Sequence, residues 1–229
     1  MGIADELPAF LAVRLVLTGR AVGRKVFQKD FFLQRSQSQT VLLGAGFGGL
    51  LFVLTYLVLG ALAPGYDSVR DTISALEFTS YALVQRVNFV LFGMLLWVFA
   101  VALRRELGTG RGSVVIPIVQ CCSGIGVAGG GFFIHEPMHM VSDLIAFNSA
   151  IVVVVLFAWR FYGDTRWKGW VAYSIVTALL MMSFLTAFGV AQHIGGPAGV
   201  FEKVASLMRS SWSALLVRQL YLGRTFEGS

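Results

Sequence analysis

The sequence predicts an all-α membrane protein, a polytopic helical bundle that crosses a lipid bilayer about six times. Of the 229 residues, 56% are hydrophobic and only 13% are charged, whereas soluble domains carry about 25% charged residues. The apolar runs are long enough to cross a bilayer. They are also continuous rather than alternating in polarity, and this pattern favours helices over the strands of a membrane barrel.

Six segments are each close to the roughly 20 residues that cross a hydrocarbon core of about 30 Å. The sixth is the least regular, because it contains Glu202, Lys203 and Arg209. The alternative for this segment is that Ala198–Met208 lies along the membrane interface, which leaves Ser210–Leu222 short for a crossing. The predicted spans are Thr40–Leu62, Leu83–Leu103, Val114–Phe133, His139–Trp159, Trp167–Phe188 and Ala198–Leu222.

Two segments flank the predicted transmembrane domain, which covers residues 40–222. Residues 1–39 form a basic cytoplasmic segment, in which Pro8–Leu17 is apolar but too short to span and contains Arg14. We interpret it as a helix that lies at the membrane interface, with disorder as the alternative. Residues 223–229 form a cytoplasmic tail.

Basic residues are distributed unevenly along the chain. Fourteen of the 18 lysines and arginines lie before span one, in the loops after spans two and four, or near the C-terminus. The positive-inside rule therefore predicts a multi-pass protein of the cell membrane with both termini in the cytoplasm. This topology and contact with anionic lipids account for the net charge of +6, so we predict membrane lipids and no nucleic acid as partners.

The outer side of this topology collects ionisable residues, which are costly at membrane depth and often mark function. His139 and Asp143 lie one turn apart on one helix face. They form either a candidate catalytic pair or a structural hydrogen-bonded pair. Together with His135 and His193 they could also bind zinc. The remaining residues of the predicted polar outer-face site are Asp67, Asp71, Arg86, Asn88, His135, His193, Glu202 and Arg209.

Three shorter patterns give structural predictions. Ser68 and Asp71 resemble a capping box, which predicts a short outer helix. Arg209 lies about 16 Å into span six and needs a buried partner, for which Asp143 is the candidate. The small residues of the glycine-rich run 124–131 predict close helix packing.

A resemblance supports the fold. Residues 66–76, YDSVRDTISAL, are similar to the signature of a prokaryotic membrane family catalogued as domain of unknown function nine-nine-eight. The resemblance covers roughly residues 40–222 and implies a polytopic α-helical fold of about six spans. It implies no particular activity and no catalytic residue. The later segments that resemble the family are Asn88–Gly93, Phe132–His139, and Gly199–Lys203 followed by Trp212.

Three classes of function remain open from the sequence. The first is a lipid-binding or accessory membrane subunit, with a membrane-protein partner or a second copy of the chain as its associate. The second is a membrane-embedded lipid hydrolase or transferase that uses the outer histidines and aspartates, with zinc as a candidate cofactor. The third is a transporter of small solutes or one coupled to protons, which requires ionisable residues near the middle of the membrane.

Overall fold

The computed structural model describes residues 40–225. Within this range every regular element is helical and none is a strand, which confirms the all-α class. The interfacial helix predicted in residues 1–39 lies outside the described residues, as do residues 226–229 of the predicted tail. The helices are α1 (Thr40–Leu62), α2 (Ala82–Leu107), α3 (Val115–Phe132), α4 (Met138–Phe161), α5 (Lys168–Ile194) and α6 (Ala198–Thr225), with short 3-10 helices at Ser74–Phe78 and Thr165–Trp167.

Five helices in the described part of the chain, α1 to α5, are long and apolar enough to cross a membrane. The protein is therefore built as a multi-pass membrane bundle. The predicted sixth span corresponds to α6, which is 28 residues long. It is less apolar than α1 to α5 and is not among the helices that could cross a membrane by composition. The physical reason is its charge, because Glu202, Lys203, Arg209 and Arg218 all lie within it.

Helix α6 is one continuous helix from Ala198 to Thr225 that packs against the rest of the bundle. Its buried residues recur every three or four positions and so form one stripe along the helix. The indole Nε1 of Trp212 donates a hydrogen bond of 3.0 Å to Ser174 Oγ of α5. The buried positions of this stripe are Ala198, Glu202, Ala205, Arg209, Trp212 and Leu216.

Small residues let α3 approach both of its neighbours. A Cβ atom added at Gly93 of α2 would lie 2.7 Å from the carbonyl oxygen of Gly124 in α3. A Cβ atom added at Gly126 would collide with the backbone nitrogen of Ala146 in α4. The glycine-rich run of α3 therefore packs helices closely, as predicted.

The helix connections lie at two ends of the bundle. We call one the acidic end: it holds the α1–α2, α3–α4 and α5–α6 connections and carries Asp67, Asp71 and Glu77. The α2–α3 and α4–α5 connections form the basic end. There the guanidinium of Arg160, at the end of α4, donates a hydrogen bond of 2.7 Å to the carbonyl oxygen of Leu107.

Candidate functional site

His139 and Asp143 are in contact on the first turns of α4, as predicted. His139 Nδ1 lies 2.7 Å from the carbonyl oxygen of Phe133. Since a carbonyl oxygen only accepts, Nδ1 carries a proton and donates it. The other ring nitrogen, Nε2, lies 3.5 Å from Asp143 Oδ2. The backbone carbonyl therefore orients the imidazole, and Asp143 lies within ion-pairing distance of its other nitrogen, which suits either a structural pair or an acid–base couple.

The four residues predicted to bind zinc do not converge. His135 and His193 are exposed, while His139 and Asp143 are half-buried. Helix α4 begins after Pro137, so His135 lies outside the helix and does not share the face of His139. Within residues 40–225, no group of three or more histidine, cysteine, aspartate or glutamate side chains could hold a metal ion.

Glu77 is a buried carboxylate that the sequence analysis did not place in the site. It belongs to the 3-10 helix Ser74–Phe78 and is 2% exposed. Neither of its carboxylate oxygens has a hydrogen-bond partner among the described residues. Burial raises the pKa of Glu77 from 4.5 to about 7, against smaller lowering effects of His139 and Arg86 and together with a smaller raising effect of Asp143. The charges of Arg86, His139 and Asp143 therefore act on Glu77, although none of the three forms a hydrogen bond with it.

A groove of about 840 Å³ runs between α4 and α5 from the acidic end. Its polar lining at that end includes Glu136, His139 and His193. Farther along, the lining is mostly apolar. The residues of that farther part are Met140, Leu144, Phe147, Asn148, Ile151, Met182, Leu185 and Thr186.

A separate small cavity of about 70 Å³ lies inside the bundle. Asp143 and Phe147 line both this cavity and the groove, so they form the boundary between the two spaces. We call the small cavity inside the bundle the central cavity. Its polar lining consists of Ser123, Asp143, Glu202, Ser206, Arg209 and Ser210.

Arg209 is buried inside the bundle, but its partner is not the predicted Asp143. Its Nη2 donates a hydrogen bond of 2.6 Å to Gln120 Oε1 of α3, and its Nη1 donates to Ser213 Oγ. Its Nε has no partner among the described residues. The sequence analysis chose Asp143 as the partner only because its expected depth in the membrane is similar to that of Arg209. The sequence did not show that α3 brings Gln120, which is fully buried, to the same depth.

Asp67 and Asp71 are engaged with the backbone of their own loop. Asp67 Oδ1 accepts a hydrogen bond of 2.9 Å from the Val69 nitrogen, and Asp71 Oδ2 accepts one of 2.8 Å from the Asp67 nitrogen. These bonds hold a turn instead of the helix that the capping box at Ser68 predicted. The 3-10 helix starts only at Ser74. The two aspartates therefore shape the loop, and neither lines the groove or the central cavity.

Comparison with known proteins identifies the family. The family model described as "Protein of unknown function (DUF998)" matches residues 47–219. The chain belongs to the DUF998 family. The match begins within α1 and ends within α6, so it includes α2 to α5 completely and most of α1 and α6. No curated protein and no solved structure matches the chain.

Two segments that carry the DUF998 resemblance, residues 66–76 and 199–203, pack against each other. The first nitrogens of α6 donate to loop carbonyls: Gly199 to Arg70 and Val200 to Val69, both at 3.1 Å. These bonds satisfy donors that a helix start would otherwise leave unpaired. A Cβ atom at position 199 would collide with the carbonyl oxygen of Asp71, so the approach requires glycine.

Side chains complete the contact between the DUF998 signature loop and α6. Lys203 Nζ donates to the carbonyl oxygens of Asp71, at 2.8 Å, and Ser68, at 3.0 Å. Glu202 is 5% exposed, and its Oε2 accepts a hydrogen bond of 2.7 Å from the nitrogen of Ile73. The predicted site residue Glu202 thus fixes the loop with one oxygen and lines the central cavity.

Asn88, also predicted as a site residue, joins helices instead. Its Nδ2 donates to the carbonyl oxygen of Phe52 in α1 at 3.3 Å and to Gln85 Oε1 at 3.4 Å. It lines neither the groove nor the central cavity. The signal that could have identified Glu77 was a single glutamate within the otherwise apolar stretch Ala75–Phe78.

Proposed function

We propose that this DUF998 protein binds a membrane lipid in the groove between α4 and α5. The observation that carries the proposal is the groove's change from polar to apolar lining with depth. From His139 to Ile151 the groove follows α4 for about 18 Å at 1.5 Å per residue. One leaflet of the hydrocarbon core is about 15 Å thick, so the groove matches the length of one acyl chain.

The polar end of the groove is suited to a headgroup. Glu136, His139 and His193 line it there, and they offer hydrogen-bond donors and acceptors. The apolar walls offer contacts to a chain, and the groove volume lies within the usual range of about 300–1,000 Å³ for ligand sites. A lipid would thus enter sideways, with its headgroup at the acidic end.

The groove can be tested by filling it. Gly189 lines the groove, and a Cβ atom added there meets nothing within 4 Å. Gly189→Trp is expected to reduce capture of a photoactivatable phospholipid by about tenfold, the equivalent of about 1.4 kcal/mol. Mass spectrometry of the cross-linked peptides measures the capture. Cross-links in the wild type should map to Met140, Leu144, Met182 and Leu185.

Gly169→Trp is the matched control, because Gly169 lies on the same helix outside the groove and also has no neighbour within 4 Å. It should leave capture unchanged. An equal loss in both variants, or cross-links spread evenly around the bundle, would argue against a lipid site in the groove.

We also propose that the acidic end faces the outside and the basic end the cytoplasm, which rests on the uneven distribution of basic residues. In a background with Cys121→Ala and Cys122→Ala, a cysteine at Ser80 should react with an impermeant thiol reagent added to intact cells. Cysteines at Thr109 and Asp164 should be protected. The opposite pattern would place the headgroup end of the groove in the cytoplasm.

A lipid hydrolase or transferase is the second candidate, because the His139–Asp143 pair lies at the headgroup end of the groove. Nδ1 of His139 donates to the carbonyl oxygen of Phe133, so Nε2 is the nitrogen that can accept a proton as a general base, and the nearby Asp143 carboxylate would stabilise the resulting cation. Incubation of the purified protein with labelled phospholipid separates the two candidates. Product formed by the wild type and lost in His139→Gln, with capture retained, would support an enzyme, whereas capture without product supports lipid binding alone.

A further inference from the structure

The groove between α4 and α5 has a lining of negative charge. Its titratable side chains are the carboxylates of Glu136 and Asp143 and the imidazoles of His139 and His193. No lysine or arginine lines it within residues 40–225. With histidine counted as neutral, the two carboxylates are therefore uncompensated, although the chain as a whole has a net charge of +6. The groove is opposite in sign to the rest of the protein.

The basic residues that the described chain places at the acidic end all lie outside the groove lining. Arg70 is exposed, and its Nε lies 4.0 Å from Asp67 Oδ2. Lys203 Nζ donates to the carbonyl oxygens of the signature loop. Arg86 belongs to α2, and its charge acts on the buried Glu77. An anionic headgroup in the groove would thus meet carboxylates without a compensating cation, which is unfavourable.

Both carboxylates of the groove can accept hydrogen bonds from a ligand. Glu136 is exposed, and its Oε2 accepts a bond of 3.3 Å from the Met140 nitrogen, which uses only one of its two oxygens. Asp143 Oδ2 lies 3.5 Å from Nε2 of His139, and the Asp143 side chain is still 33% exposed. An ionised carboxylate has about four acceptor positions, so each retains free ones.

Neutral hydrogen-bond donors complete the polar end of the groove. The hydroxyl oxygens of Thr72 and Ser74 lie 3.1 Å apart and line it. The amide of Gln192 and the imidazole of His193 line the same space. These groups can donate to phosphate oxygens without adding a positive charge. The lining therefore offers carboxylates to a cation and neutral donors to a phosphate, which together match a zwitterionic headgroup.

We propose that the groove selects a phospholipid whose headgroup ends in a primary ammonium, as in ethanolamine, over an anionic phospholipid. This inference rests on the proposed binding of lipid in the groove. The ammonium donates charge-assisted hydrogen bonds to Glu136 and Asp143, and the phosphate accepts from the neutral donors. A primary ammonium carries three N–H donors, whereas the quaternary ammonium of choline carries none, so the carboxylates also favour ethanolamine over choline.

Photocross-linking of the purified protein in phosphatidylcholine liposomes at pH 8 tests the selectivity. Three probes share one photoactivatable acyl chain and differ only in their headgroup, which is ethanolamine, glycerol or choline. Cross-links are counted at the groove residues Met140, Leu144, Met182 and Leu185. The ethanolamine probe should be captured about fivefold more than the glycerol probe and about threefold more than the choline probe. Non-specific attraction by a chain of net charge +6 would favour the anionic glycerol probe instead.

Two matched variants show whether the groove causes the preference. Glu136→Gln removes one charge but keeps an oxygen that can accept from the Met140 nitrogen. It should lower the ratio of ethanolamine to glycerol capture by about threefold. The control Asp67→Asn removes a charge at the same end but outside the groove, and its amide oxygen can still accept from the Val69 nitrogen. It should leave the ratio unchanged. Size-exclusion elution checks that both variants are folded.

The outcomes separate headgroup selectivity from lipid binding itself. Equal groove capture of the ethanolamine and glycerol probes, with both reduced by Gly189→Trp, would leave a lipid groove and overturn the selectivity. Equal capture of the ethanolamine and choline probes would overturn the assignment of a primary ammonium. A ratio that falls as much in Asp67→Asn as in Glu136→Gln would trace the preference to general surface charge. No groove capture of any probe would overturn both proposals.

Discussion

Replacing Glu77 by glutamine is expected to stabilise the folded protein at pH 8 by about 3 kcal/mol. The carboxyl is 2% exposed, and neither oxygen has a hydrogen-bond partner among the described residues. Its pKa rises from 4.5 to about 7 because burial disfavours the charged form. Each unit of that difference corresponds to about 1.4 kcal/mol. Glutamine keeps the shape of the side chain and removes the charge.

The effect of Glu77 should depend on pH in a defined direction. Below pH 4.5 the carboxyl is protonated in both the folded and the unfolded chain, so it makes no pH-dependent contribution. Between pH 4.5 and about 7 the unfolded chain loses its proton first, and stability of the wild type falls. Above pH 7 the full loss is present.

Unfolding in detergent at pH 5 and pH 8 measures the difference between the wild type and Glu77→Gln. Glu136→Gln is the matched control, because Glu136 is exposed and its Oε2 accepts from the Met140 nitrogen, a bond that an amide oxygen can also accept. It should change stability by less than about 0.5 kcal/mol. A Glu77→Gln variant that is less stable than the wild type at pH 8 would show that the carboxylate is paired.

Arg209→Leu is expected to destabilise the protein by about 3 kcal/mol. Roughly 1–3 kcal/mol comes from Gln120, which is left buried without its hydrogen bond. The rest comes from removing the cation from a low-dielectric cavity lined by Asp143 and Glu202. The variant Arg218→Leu is the control, because Arg218 is exposed on the same helix and its loss should cost less than about 0.5 kcal/mol.

Double variants identify the partner of Arg209. Adding Gln120→Leu to Arg209→Leu should recover about 1–2 kcal/mol, since no unpaired amide remains in the core. Adding Asp143→Leu should recover less, because Asp143 makes no ion pair with Arg209 within the described residues. Greater recovery with Asp143→Leu would mean that charge compensation across the cavity outweighs the hydrogen bond to Gln120. Chemical unfolding in detergent measures each difference.

The helices could be predicted from sequence because each depends on a local run of apolar residues. The predicted first span, Thr40–Leu62, coincides with α1. The second and fifth helices are longer than predicted: α2 continues past Leu103 to Leu107, and α5 past Phe188 to Ile194. The predicted spans follow the apolar runs, because lipid favours apolar residues. The helices themselves continue beyond those runs.

The site could be predicted only where its residues are neighbours on one helix. The contact of His139 with Asp143 follows from their spacing of four residues. The partners Arg209–Gln120 and Glu202–Ile73 are 89 and 129 residues apart, so no local pattern brings them together. The same holds for the groove, because its two walls belong to different helices whose relative rotation a single sequence does not specify.

The contact between the signature loop and α6 has a consequence for biosynthesis. Lys203 is 135 residues later in the chain than Ser68, whose carbonyl oxygen it binds. At 5–20 residues per second, the ribosome needs roughly ten seconds to make the intervening chain. During that time the carbonyl groups of Ser68, Val69, Arg70 and Asp71 must be hydrated or held by other partners. The acidic end therefore cannot be completed until the first turns of α6 have been made, although its signature loop precedes this helix by more than a hundred residues along the chain.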